Sequence, residues 1–74
     1  MTKKSTTLQT KFGERVRELR MKRGLSQEQL GFESNLDRTY ISGIERGMRN
    51  PSLINIGKIA KALEVKPSEI FKFE

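Results

Sequence analysis

Residues Asn35–Ser52 read NLDRTYISGIERGMRNPS, and the fold turns on how this stretch is wound. Asp37 is a suitable helix N-cap, because its carboxylate accepts hydrogen bonds from free backbone amides. A helix from there runs to Arg46 and stops at Gly47. On its wheel Ile41 and Ile44 share one face, where Leu30 and Leu36 can meet them. With that face turned inward, Arg38, Thr39, Ser42 and Arg46 point outward and Tyr40 flanks them. The result is a short projecting rod rich in hydrogen-bond donors. Gly43 lies in its middle, where glycine costs about 1 kcal/mol against alanine. Its bare backbone suits close approach either by a ligand surface or by a neighbouring helix.

Upstream, SQEQ (Ser26–Gln29) has capping-box spacing and opens a helix over 27–33. Ser34, Asn35 and Leu36 alone separate it from the next helix, which is the spacing of a helix-turn-helix. Before it, Leu8, Phe12, Val16 and Leu19 recur at steps of four and three, one apolar stripe on a helix over 8–23. Gly24 closes that helix. Downstream, Asn50–Pro51–Ser52 starts a fourth helix with proline in its first turn. Leu53, Ile56, Ile59 or Ala60, and Leu63 form its stripe. A last short turn follows Pro67–Ser68 and carries Ile70, Phe71 and Phe73. Strand alternation is nearly absent, so an all-α fold of five helices is expected. Residues 1–9 read as a polar N-terminal arm, and 10–74 as one domain.

The chain of 74 residues holds fifteen Lys+Arg against nine Asp+Glu, a net charge of +6. The excess is uneven: residues 1–50 carry eleven basic and six acidic side chains, residues 51–74 four and three. A basic front and a near-neutral back suit a polyanion on one side and an uncharged surface on the other. Cysteine and histidine are absent. That removes thiolate chemistry and the commonest general base and metal ligand, so no cofactor or metal is expected. Glu28 and Glu33 do not share a helix face, and no glycine-rich phosphate loop occurs. An enzyme is therefore not expected, nor is a small-molecule ligand. No apolar run approaches the roughly 20 residues of a membrane span, and MTKKSTTLQT lacks the apolar core of a signal peptide. A cytoplasmic home fits a chain without cysteine.

The exposed flank of the Asp37–Arg46 helix matches the width of a B-form major groove. Arg38 suits bidentate bonding to guanine. Thr39 can offer a methyl to thymine or a hydroxyl to a base edge, and Tyr40 reaches a phosphate or a base. Ser42 suits a phosphate. Arg46, Arg49 and Asn50 surround the following loop, from which Arg49 either enters the groove or stays a solvated charge. Gln27 opens the preceding helix, where free amides favour an anion; otherwise it is an exposed helix former. Glu45 sits near a helix C-terminus, where a negative charge is disfavoured. A fixed partner would offset that, and Arg20, at the edge of the first helix's stripe, is expected to pair with it. Ile54, Val65, Ile70, Phe71 and Phe73 either complete the monomer core or form a self-complementary dimer interface.

The run LSQEQLGFESNLDRTYISGIERGMRNPSLINIGKIAKALEV (Leu25–Val65) resembles the phage-repressor-like helix-turn-helix domains of bacterial transcription regulators. The likeness extends over about residues 10–71, and SQEQL, YISGIERG and NPSL carry it most strongly. NLDRTYISGIERGMRN on so short a chain is similar to the controller proteins of restriction-modification systems. The resemblance implies a compact five-helix repressor-like domain and a homodimer on a twofold-related double-stranded DNA operator. It implies control of the chain's own gene and of a linked endonuclease gene, with RNA polymerase as a candidate partner. It implies base contact or DNA distortion by Arg38, Thr39, Tyr40 and Arg49. Phosphates would be held by Gln27, Ser42, Arg46 and Asn50. It also supports the Arg20–Glu45 pair. Gly31 and Phe32 depart from the family's usual alanine and small or polar residue. Another phage-type repressor, or a protein-interaction module such as the antitoxin of a toxin–antitoxin pair, is the competing expectation.

Overall fold

The computed structural model describes residues 7–74. Five helices follow one another: α1 (Thr7–Lys22), α2 (Gln27–Ser34), α3 (Arg38–Glu45), α4 (Leu53–Leu63) and α5 (Pro67–Ile70). Among the described residues there is no strand, and no helix is long and apolar enough to cross a membrane. The arm expected over 1–9 lies outside the described residues for 1–6, while 7–9 already belong to α1.

Local chemistry sets the helix ends. In the capping box at α2, the Gln29 amide donates to Ser26 Oγ at 3.0 Å and the Ser26 amide to Gln29 Oε1 at 2.7 Å. Asp37 caps α3 by accepting the Thr39 amide at 2.8 Å, and Ser52 caps α4 by accepting that of Asn55 at 3.1 Å. Pro51 therefore lies just outside α4 rather than in its first turn. Ser34 is the last residue of α2, so the link to α3 is Asn35, Leu36 and Asp37, one residue later than the sequence spacing implies. The shift arises because Asn35 adopts the left-handed conformation itself (φ 60°). Asparagine tolerates that conformation better than most residues.

The core is small. Val16, Leu30, Ile41, Ile44, Ile59, Leu63 and Ile70 are essentially fully buried, with Phe12 and Leu19 beside them. Both α1 and α2 pack on α3, α2 also packs on α4, and α5 closes the end against α1 and α4. The α1–α3 crossing is a backbone contact, since a β-carbon on Gly13 would run into the Ile44 carbonyl oxygen. At Gly31 a β-carbon would lie 2.7 Å from the Leu36 carbonyl oxygen, so this glycine lets the turn fold tightly onto α2.

Three expectations need correction. Leu8 is exposed, because the first turn of α1 stands beyond the core, where it walls a shallow groove with Phe12 and Phe71. Leu53 is 82% exposed: it is the first residue of α4, and the buried stripe of that helix is Ile59, Ala60, Ala62 and Leu63 instead. Ile70 is fully buried, since α5 inserts it into the core as its single buried residue. It cannot belong to a dimer surface. Val65 and Phe73 are half-buried and pack against the core, while Ile54 and Phe71 are exposed.

Candidate nucleic-acid interface

The wheel drawn from the sequence is the one the helix adopts. Ile41 and Ile44 are buried at 0% and 1% exposure, and Arg38, Thr39 and Arg46 are exposed, with Ser42 half-buried among them. Burying the two isoleucines against α1 and α2 leaves the opposite flank no choice but solvent. Arg46 ends α3 as its C-cap, and its Nε donates to the Ser42 carbonyl at 3.3 Å. The side chain thus lies back along the flank instead of extending from it.

Tyr40 departs from the picture of a free flanking residue. It is half-buried and packs on the core, and its hydroxyl accepts from Asn55 Nδ2 at 3.2 Å. The phenol proton remains able to donate. Above the ring stands the Arg49 guanidinium, 5.6 Å from the centroid, within cation–π range. Tyr40, Arg49 and Asn55 therefore come from α3, the following loop and α4, and meet at one edge of the flank. The sequence reading missed Asn55. Its spacing on α4 marked only a polar position, and nothing local signalled a partner fifteen residues away. Asn50 is exposed and borders the groove that Leu8, Phe12, Pro51, Ile56 and Phe71 line.

Gln27 is neither a free helix former nor a residue reserved for an outside ligand. Its Nε2 donates to Glu45 Oε1 at 3.0 Å, and the amide keeps a second N–H. Glu45 also receives Arg20 Nε at 2.6 Å and Arg20 Nη2 at 3.0 Å. A third guanidinium bond, from Arg20 Nη1, goes to the Leu25 carbonyl at 2.8 Å. One carboxylate thereby ties the end of α3 to α1 and to the first residue of α2. Its negative charge is neutralised inside the scaffold rather than presented beside the flank.

The charges are sorted. Arg15 pairs with Glu18 and Glu69, Arg20 with Glu45, and Arg23 with Glu33 and Glu64. Among the described residues, Arg38, Arg46 and Arg49 form no ion pair. Beside Arg38 lies the carboxylate of Asp37. Its carboxyl sits below the ordinary 3.8, chiefly because it accepts the Thr39 backbone and side-chain hydrogen bonds, with a further contribution from the Arg38 charge. It is thus committed to the helix cap. The arrangement is a convex, cation-bearing ridge, with positions 38 and 39 at the leading end and position 49 at one edge. Such a ridge can enter a groove and donate to bases and phosphates.

At a separate place the surface is apolar. Leu53 and Ile54 project from the first turn of α4 at 82% and 73% exposure, and Phe71 is partly exposed against Phe12, with ring centroids 5.2 Å apart.

Comparison with known proteins finds helix-turn-helix proteins, controller proteins among them. Residues 16–70 match the helix-turn-helix family model. The chain is 57% identical over 63 residues to control protein C.BamHI of Bacillus amyloliquefaciens, covering 84% of this chain and 78% of that protein. It is 45% identical over 65 residues to control protein C.MunI of a Mycoplasma species, covering 86% and 88%. Among solved structures it is similar to the restriction-modification controller protein C.AhdI from Aeromonas hydrophila, with 59% identity and a TM-score of 0.84 over 85% of this chain and 96% of that one. It is also similar to C.Esp1396I, solved as a tetramer in complex with its natural 35 base-pair operator, with 41% identity and a TM-score of 0.84 over 92% and 90%.

Proposed function

The chain belongs to the helix-turn-helix family, among the controller proteins of restriction-modification systems, and on that premise we propose how it acts. It is a sequence-specific DNA-binding transcriptional regulator that occupies a twofold-related operator as a homodimer. The observation that carries this reading is the flank of α3 and the loop after it, where three exposed arginines form no ion pair while the part-buried Arg15, Arg20 and Arg23 of α1 and its end are engaged with carboxylates. The α3 ridge enters the major groove. Arg38 and Thr39, exposed at its leading end, read base edges. Tyr40 and Arg49 act together at its side, the phenol donating outward while Asn55 holds it from behind. Arg46, Ser42, Asn50 and the second amide N–H of Gln27 hold phosphates and set the register.

The twofold partner packs on the apolar surface of Leu53, Ile54 and Phe71. Charge supports this division, since the basic excess lies in the first fifty residues. As a controller it acts by binding, without catalysis, in the cytoplasm on its own and a linked endonuclease gene, with RNA polymerase as its further partner.

Affinity for the operator should be dominated by phosphates. A dimer making about six to ten phosphate contacts loses about 10³–10⁵ in affinity between about 50 and 200 mM salt. The specific test is Arg38→Ala. Binding to a systematic set of single-base operator variants should lose roughly 1–3 kcal/mol of discrimination at one base position per half-site. An unchanged base preference in that variant would remove Arg38 from the reading role.

A further inference from the structure

The loop after α3 doubles back over the helix that it leaves. Gly47 takes a left-handed conformation (φ 76°), and the Met48 amide donates to the Gly43 carbonyl at 2.8 Å. Arg49 therefore emerges above Gly43. A β-carbon at position 43 would lie 2.8 Å from Arg49 Cγ, 3.1 Å from its Nε and 3.5 Å from its Cδ. The stem of Arg49 thus runs along the space a side chain would take. Its guanidinium continues to the ring of Tyr40, which lies three residues earlier on the same strip of helix.

The other close-packed glycines behave differently. A β-carbon at Gly13 or Gly31 would meet backbone of Ile44 and Glu45, or of Leu36 and Arg38. At Gly43 the three nearest atoms all belong to one exposed side chain. None of those three atoms is backbone or belongs to another helix, and glycine weakens the helix.

We infer that Gly43 is a positioning residue for DNA recognition: the missing side chain opens a channel across α3 that lays Arg49 over Tyr40 and aims its guanidinium at the duplex. The inference rests on the DNA-binding reading above. It separates two properties that a structural glycine would keep together. Alanine at 43 favours the helix, and the stem of Arg49 can swing into solvent, so the fold gains or holds while recognition suffers.

The test is Gly43→Ala in the full chain. Its melting temperature should equal or exceed the wild type. Tyr40 is the one tyrosine and there is no tryptophan, so its ring is a clean local probe. The Arg49 Hδ resonances should be shifted by that ring in the wild-type protein and lie nearer their unperturbed positions in the variant. Affinity is measured on a duplex selected by the wild-type protein from a random-sequence pool. It should fall about fivefold or more, the loss of one good groove contact. The double variant Gly43→Ala/Arg49→Ala should bind as well as Arg49→Ala alone. A lowered melting temperature would overturn the inference by making Gly43 a packing residue. So would wild-type affinity in Gly43→Ala, or a further loss in the double variant. Failure of the wild-type protein to select any duplex would instead bring down the DNA-binding reading, and this inference with it.

Discussion

Glu45→Gln is the most informative change to the scaffold. It keeps the shape of the side chain and removes one charge. The side chain of Glu45 is 3% exposed and that of Arg20 is 11% exposed, so the pair is largely cut off from water. The carboxylate accepts three donors, two from Arg20 and one from Gln27. An amide in its place presents one acceptor and one NH₂, and the NH₂ faces an N–H of Arg20 in either orientation, and that of Gln27 as well when it takes the Oε1 place. The guanidinium is then left buried with its charge uncompensated. Breaking a buried pair from one side costs about 3–5 kcal/mol. Because Arg20 keeps a bond to the Leu25 carbonyl and some exposure, about 3 kcal/mol is the reasonable figure here. The whole domain is worth about 4–11 kcal/mol at ordinary densities for its length. In a domain of this size each kcal/mol moves the melting temperature by about 4–8 °C, so the variant should melt about 12–24 °C lower.

The assay is thermal unfolding followed by circular dichroism, with protein concentration held equal because any self-association would raise apparent stability. A drop smaller than about 4 °C would refute the claim that a buried ion pair fastens α3 to α1. A companion variant tests the mechanism. Replacing both partners, Arg20→Met with Glu45→Leu, leaves no orphaned charge and should lie closer to wild type than Glu45→Gln.

Two further outcomes follow from the caps and the surface. The carboxyl of Asp37 is held below its ordinary 3.8, so its stabilising contribution is complete above that value and disappears as pH falls through the lower folded value. Asp37→Asn keeps a capping oxygen without titrating. Urea midpoints compared from about pH 5 to about pH 2 should therefore fall less steeply in the variant, and equal slopes would place the acid sensitivity elsewhere. Ile54→Lys puts a charge on a side chain already 73% exposed, so the protomer should fold normally. In sedimentation equilibrium it should run as the 8.5 kDa chain, and a persistent dimer would move the twofold contact away from the first turn of α4.

Much of the molecule was legible in the order of its residues. Ser26 with Gln29, Asp37, Gly24 and Gly47 mark helix ends through bonds made within a few residues, so local chemistry decides them. The inward face of α3 was equally plain, because Ile41 and Ile44 are the long apolar side chains within that helix. Boundaries slipped where a non-glycine residue took the left-handed turn, as Asn35 did. The apolar residues were harder. Leu8 and Leu53 fit helical stripes by spacing, yet they lie on terminal turns that no neighbouring helix covers. Ile70 looked like surplus hydrophobic surface until α5 was seen to drive it into the core. Periodicity assigns a residue to a face of its own helix and says nothing about whether that face extends beyond its partners.

The chain's own order thus determined five helices, three of them started by a capping side chain, a short helix-turn-helix link and an arginine-bearing flank, since each depends on contacts one or two turns apart. Only tertiary packing decided that Gln27 joins the Arg20–Glu45 pair, that Asn55 holds Tyr40 and that Arg49 lies in the gap at Gly43. The first two meetings cross between separate helices and the third depends on how the loop after α3 folds back, so each is set by how closely two stretches of backbone approach, a distance that no residue spacing encodes.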